Sequence, residues 1–169
     1  MALRKHCGKG VQVKAYLTAN MEGKVLAVNT SKGKGTKKKN VGACRLVKGW
    51  GMAEDGHAGN WHRQISLLSK KSIEKIREKG LPVDYGDFAE NLSIEGIDLH
   101  LLPVGAKLTI GAQAILRITQ IGKECHERCN IFYQVGDCVM PREGVFAEVL
   151  EEGEVKVGDA IKTIQGLSP

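Results

Sequence analysis

No apolar run in this chain approaches the ~18 residues that a membrane-spanning helix needs, and no apolar stretch of the signal-peptide kind follows Arg4 and Lys5. Both absences read against a membrane role. Only three Phe, three Tyr, two Trp and four Pro stand beside twenty-one Gly. That balance suits a turn-rich protein with more strand than helix. Cysteines number five, an odd count at spacings unlike a secreted disulfide framework, which points to the reducing cytoplasm. There is no Gly-x4-Gly-Lys-Ser/Thr loop, no dinucleotide-binding glycine fingerprint and no Gly-x-Ser-x-Gly elbow. ATPase, dehydrogenase and serine-hydrolase readings therefore have no support.

What is present is a chain of 169 residues, enough for one domain with its own core. Its net charge of +6 is unevenly placed. Residues 1–40 hold ten Lys/Arg against one acidic residue, a balance of +9, and residues 41–169 hold fifteen against eighteen, a balance of −3. The basicity belongs to the leading segment and to the run 32–39, not to a structured face with interleaved aromatics, so no nucleic-acid partner is expected. The run reads either as a solvated lysine loop or as a lip that attracts a phosphate-bearing ligand. Residues 1–20 show neither periodicity nor turn chemistry and are expected to be a disordered tail dispensable for folding.

From Met21 onward the chain reads as short strands broken by glycine: 25–29, 44–47, 63–68, 91–94, 107–110, 114–121, 145–150, 154–157 and 160–163. Segment 70–79 carries Ile73 and Ile76 three apart amid charges, with Ser69 as N-cap and Gly80 and Pro82 to stop it, the pattern of a short amphipathic helix. Strand 114–121 has Ile115, Arg117, Thr119 and Ile121 on one face and Leu116, Ile118 and Gln120 on the other, so neither face is cleanly polar and the strand is expected to be covered on much of both sides. Many short strands with few helices predict a mainly β protein, an antiparallel or mixed β-barrel.

Chemistry concentrates in the run 122–132, where Cys125, His126, Arg128 and Cys129 follow a strand. If that run is helical, Cys125 and Cys129 share one face. A thiol among cationic groups tends toward a reactive or metal-ligating thiolate. Zinc held by Cys125, His126, Cys129 and Cys138 is one alternative, and an inert buried cysteine pair is another. Cys7 and Cys44 have no partners in sequence, and Cys138 is either a ligand or a core residue. The loop with Asp55 and His57, ahead of Arg63 and Gln64, can form a cofactor pocket with Arg63 as a forked anion donor, or a turn whose polar groups cap the local backbone. Asn91 either binds a heterocycle or closes a turn, the structural reading being favoured. Arg142 either reaches an anion at the cysteine site or makes a surface ion pair.

Taken in order, these segments resemble the MOSC domain, the module named for the C-terminal part of molybdenum cofactor sulfurases. The blocks are Asp55-Gly-His-Ala-Gly59, Arg63-Gln-Ile-Ser-Leu67, Gly86-Asp-Phe-Ala-Glu-Asn-Leu92, Gly96-Ile-Asp-Leu99 and Pro103-Val-Gly-Ala106. Gly122-Lys-Glu-Cys125, Gly144-Val-Phe-Ala147 and Val157-Gly-Asp159 complete the set, which runs from about Gly23 to Thr163. The resemblance implies one MOSC domain over residues 21–169, of the small stand-alone type. It implies a β-barrel with a few short helices that binds the molybdenum cofactor (molybdopterin) or its precursor in maturation, sulfur transfer or delivery. Cofactor-biosynthesis proteins or molybdoenzymes are the partners it implies. Its signature cysteine falls on Cys125, as sulfur carrier or as ligand of molybdenum, with Cys129 as helper. Asp55, His57, Arg63, Gln64, Asn91, Lys123, Arg128 and Arg142 would surround the cofactor. Ala89 stands where relatives often carry glycine. A molybdenum-dependent reductase of N-hydroxylated compounds and a non-catalytic zinc or binding module are the alternatives. The sequence has no counterpart of the pyridoxal-phosphate desulfurase domain, so sulfur extraction from free cysteine is expected to need another protein.

Overall fold

The computed structural model describes residues 20–34 and 36–164. The expected tail, apart from Asn20, lies outside the described residues. Seven strands close a mixed barrel: β1 (Glu22–Thr30), β11 (Ala160–Thr163), β7 (Lys107–Ile110), β8 (Ala114–Ile121), β9 (Val145–Glu151), β5 (Ile65–Ser69) and β6 (Leu92–Glu95), which returns to β1. Neighbours are antiparallel except β5 and β6, which run parallel with Leu67 opposite Leu92. A short β2 (Lys39–Asn40) adds to β1, and β10 (Gly153–Lys156), β3 (Ala43–Val47) and β4 (Gly51–Met52) form a small separate sheet.

The parallel pair requires a crossover, and α1 (Lys70–Arg77) begins it. Ser69 caps the helix by accepting the Ser72 amide at 3.3 Å, while Ile73 and Ile76 turn inward and are fully buried. Residues of β5 alternate between two cores. Leu67 points into the barrel with Leu92, Leu108, Leu116 and Val149, and Leu68 points outward to a second cluster with Ile73, Phe88, Ile131 and Phe146. Each such side chain contributes about 1.5–3 kcal/mol by leaving water. The outer cluster also seats α2 (Asn130–Val135) and α3 (Met140–Glu143) through Ile131 and Met140.

Two expectations need correction. Strand β8 is fully covered on one face only: Ala114, Leu116 and Ile118 are buried, while on the other face Ile115, Thr119 and Ile121 are half-buried and Arg117 is exposed and pairs with Glu148. Register shifts against β9 at Ile115/Leu116 and Ile118/Gln120 break the strict alternation assumed from sequence. The run 125–129 is not helical either. It is a loop with bends at His126 and Glu127, and α2 starts only after it, with Cys129 at its N-cap position.

Candidate functional site

Two adjoining cavities open on the barrel end where β8 leads into the cysteine loop. The wider encloses about 750 Å³ and is lined by Cys125, Cys129 and Cys138, with Lys123 and Arg128 among the cationic groups. The narrower, about 340 Å³, is lined by Lys34, His57, Arg63, Asn91 and Lys123, with Trp61 and Phe146 as aromatic walls. Lys123 lines both. Of the expected site residues, Cys125, Cys129, Arg128 and Lys123 thus meet at one cavity, and His57, Arg63, Asn91 and Lys123 at its neighbour.

Glycine geometry aims the cysteine loop. Gly122 has φ +72°, and a Cβ there would lie 2.3 Å from the Pro141 carbonyl oxygen. The Gly122 amide donates to the Gly144 carbonyl at 2.7 Å and the Lys123 amide to that of Pro141 at 3.2 Å. From this anchor the chain runs outward, so Cys125 and Cys129 are exposed while Cys138, beyond α2, is buried. Burial pushes the Cys138 thiol up to about 11; the Met140 amide opposes this, and the nearby Cys129 and Cys125 add to it. Arg128 stacks 4.0 Å from the centre of the Phe132 ring.

The narrow cavity is cationic, with no carboxylate among its lining residues. Arg63 lies between Trp61 and Phe146, 4.7 and 5.5 Å from their ring centres, and its buried Nε has no hydrogen-bond partner among the described residues. A buried donor of that kind is costly unless a ligand or water meets it. His57 is fixed from behind. Its Nδ1 sits 3.0 Å from the Lys38 ammonium, which only donates, so Nδ1 accepts and the ring proton is assigned to Nε2. Burial first, then the Lys38 charge, lowers the His57 pKa below the ordinary histidine value, with Asp55 opposing. The imidazole is therefore neutral at pH 7.

Three expected residues line neither cavity. Asp55 forms a buried ion pair with Lys38 at 2.5 Å, both side chains wholly out of solvent, and also accepts the Ser31 and His57 amides at 3.0 and 3.1 Å. Burial works against its ionisation, but the Lys38 hydrogen bond, the Ser31 amide and the Lys38 charge outweigh that and hold its carboxyl below the usual range. Gln64 accepts the Val149 amide at 2.9 Å, a strand-bridging contact. Arg142 pairs with Asp137 at 2.9 Å, the surface ion pair that was its plainer reading. Asn91 lines the narrow cavity, yet its amide is engaged by Ser66 and the Asn29 carbonyl. It positions the wall. Among the described residues no group of three His, Cys, Asp or Glu side chains is placed to hold a metal ion, so the four-ligand zinc reading finds no assembled ligand set.

Sequence reasoning missed Lys38, hidden in a lysine run read as solvated, although Lys34 of the same run does line the narrow cavity as a lip residue would. In the 86–91 segment it singled out Asn91 and missed Glu90. There Glu90, fully buried, accepts the Gly86 amide at 2.7 Å, the Phe88 amide at 3.2 Å and the Ser93 hydroxyl at 2.9 Å. Ala89 in that turn has φ +62°, a left-handed conformation that penalises a Cβ. Ala89→Gly is expected to raise stability by about 1 kcal/mol, the relieved strain exceeding the extra chain entropy of glycine. Chemical denaturation measures this, and an unchanged midpoint would count against the strain.

Residues 54–162 match the MOSC domain. No curated protein matches the chain. Among solved structures it is similar to YuaD from Bacillus subtilis, with a TM-score of 0.73 and 20% identity over 86% of this chain and 97% of that one. It is also similar to YiiM from Geobacillus stearothermophilus, with a TM-score of 0.62 and 17% identity over 85% and 75% of the two chains. YiiM from Escherichia coli gives the same TM-score and identity over 88% and 72%. At such identities the structures speak to the fold, and the domain match over most of the barrel speaks to the family. The chain belongs to the MOSC domain family.

Proposed function

We propose that this chain binds the molybdenum cofactor or a precursor and acts in its maturation, sulfur transfer or delivery, with Cys125 as the working thiolate. The observation that carries the reading is the junction at Lys123. A cationic cavity free of carboxylates adjoins one lined by three thiols. The cofactor combines a phosphate with a sulfur-bound metal, and the two cavities offer a donor set for each. Arg63, with its buried Nε unpartnered among the described residues, is the fork for the phosphate; Lys34 and Lys123 add charge. His57 is backed by Lys38, whose ammonium at Nδ1 favours the tautomer with its proton on Nε2. The thiols are soft donors suited to molybdenum and sulfur. When bound, the cofactor supplies a metal–sulfur centre able to accept or give up sulfur. Cys125 is exposed, so its sulfur is open to a donor or acceptor approaching from solution. A cytoplasmic setting, with cofactor-biosynthesis proteins or molybdoenzymes as partners, completes the proposal.

Protein purified from a cofactor-competent host should carry molybdenum and a fluorescent pterin. Both should be lost in Cys125→Ser and kept in Cys129→Ser, while Arg63→Ala should retain at least about tenfold less pterin. Wild-type protein free of both, or carrying zinc alone, would overturn the proposal.

A further inference from the structure

The function proposed above uses one thiol of the wide cavity and leaves Cys138 idle, yet the fold delivers that residue there by a defined route. Helix α2 spans Asn130–Val135, and Gly136 ends it in the left-handed conformation at φ +72°. The chain then reverses, so the residues flanking the helix, Cys129 and Cys138, return to one cavity wall. Asp137 pins the return: it pairs with Lys79 and with Arg142, each at 2.9 Å, and accepts the Cys138 amide at 2.8 Å. The Cys129 and Cys138 side chains line one cavity together with Cys125, and no disulfide ties either thiol. One member of the pair is exposed and the other is buried, the arrangement of an attacking thiol with a resolving thiol behind it.

We propose that Cys129 and Cys138 form a dithiol/disulfide couple that reduces sulfane sulfur carried by Cys125 and releases it as sulfide. This rests on the reading of Cys125 as a sulfur carrier. In the first step the Cys129 sulfur attacks the outer sulfur of a Cys125 persulfide. The persulfide S–S bond breaks, a new one forms on Cys129, and the Cys129 proton passes to the Cys125 thiolate. In the second step the Cys138 sulfur attacks Sγ of the Cys129 persulfide. The Cys129–Cys138 disulfide forms, and the outer sulfur leaves as hydrogen sulfide with the Cys138 proton. Two thiol sulfurs are oxidised and one sulfane sulfur is reduced by two electrons, so no further oxidant enters. An external dithiol resets the couple by exchange.

The sequence makes the test direct. Trypsin cleavage after Lys123, Arg128 and Arg142 places Cys125 on peptide 124–128 and both other thiols on peptide 129–142. Reduced full-length protein is treated anaerobically with glutathione persulfide, and sulfide is measured by bimane trapping. Wild type should release sulfide, and peptide 129–142 should become lighter by two hydrogens. Cys138→Ser, checked against Cys138→Ala, should release at least about tenfold less. A sulfide yield unchanged in both variants, or a disulfide joining the two peptides, would overturn the couple. The double variant Cys129→Ser/Cys138→Ser reads the carrier separately. Peptide 124–128 should gain one sulfur there; a Cys125 that gains none removes the carrier reading and the sulfide step with it. A wild-type protein that forms no 129–142 disulfide in a glutathione-disulfide titration defeats the couple alone.

Discussion

Lys38→Met is expected to cost about 3–5 kcal/mol of folding stability, because it removes one partner of a buried ion pair and leaves the other charged. Lys38 and Asp55 are both fully out of solvent at the side chain and 2.5 Å apart. Asp55 also holds the amides of Ser31 and His57, so the pair ties the lysine loop to the loop that carries the narrow cavity. An apolar residue at position 38 gives Asp55 no cation and no route to water. The double variant Lys38→Met/Asp55→Asn should recover much of the loss, since removing both charges removes the burial penalty as well. Urea unfolding at pH 7 measures each variant. The cavity supplies a second readout: without the Lys38 charge, the His57 pKa should rise toward its ordinary value, visible as a shifted imidazole titration by NMR. A single variant within about 1 kcal/mol of wild type would show that the pair contributes no more than a surface bridge.

The same residue shows why part of the site was not legible. Composition marks 32–39 as a lysine run, and isolated lysines are mostly solvated. Nothing local distinguishes Lys38 from Lys37 or Lys39; Asp55, seventeen positions on, selects it. The barrel strands were legible for the opposite reason, because each carries its own signal. Apolar residues bounded by glycine mark β7 and β11, and the Ser69 cap with the Ile73/Ile76 spacing marks α1. Elements whose stability is borrowed from neighbours escaped, among them two-residue β2 and β4 and the four-residue α3. In the site, residue types identified Cys125, His57 and Arg63, and the fold gathers each at one of the adjoining cavities. Gln64 and Arg142 bear equally suggestive side chains but satisfy them elsewhere, in a backbone amide and in Asp137. Spacing reports which groups are available; only tertiary partners report which are already engaged.

Glu90 should make wild-type stability fall as pH rises through neutrality, a trend that Glu90→Gln removes. Burial raises its pKa from 4.5 to about 7, against the opposing hydrogen bonds of the 86–93 segment. A carboxyl whose folded pKa lies above its unfolded one binds its proton more tightly in the native state. Its contribution is therefore fully present below pH 4.5 and is lost as pH climbs through 7. The span corresponds to about 3 kcal/mol between roughly pH 4 and pH 8. His57 tilts the other way: its folded pKa is lowered, so its contribution is lost as pH drops below the ordinary histidine range. Subtracting the stability curve of the Glu90→Gln variant from that of wild type cancels His57 and isolates the carboxyl. The substitution also turns an amide donor toward one of the two N–H groups, that of Gly86 or that of Phe88, a pH-independent cost of about 1–3 kcal/mol. The wild-type advantage should thus be largest near pH 4 and shrink toward pH 8, and two parallel curves would refute the shift. Phe88, Ala89 and Asn91, from the turn that Glu90 braces, form one wall of the narrow cavity. Glu90→Gln, which leaves the Gly86 or the Phe88 N–H without its acceptor, is therefore expected to loosen the wall that faces Arg63 and to lower anion retention in that cavity.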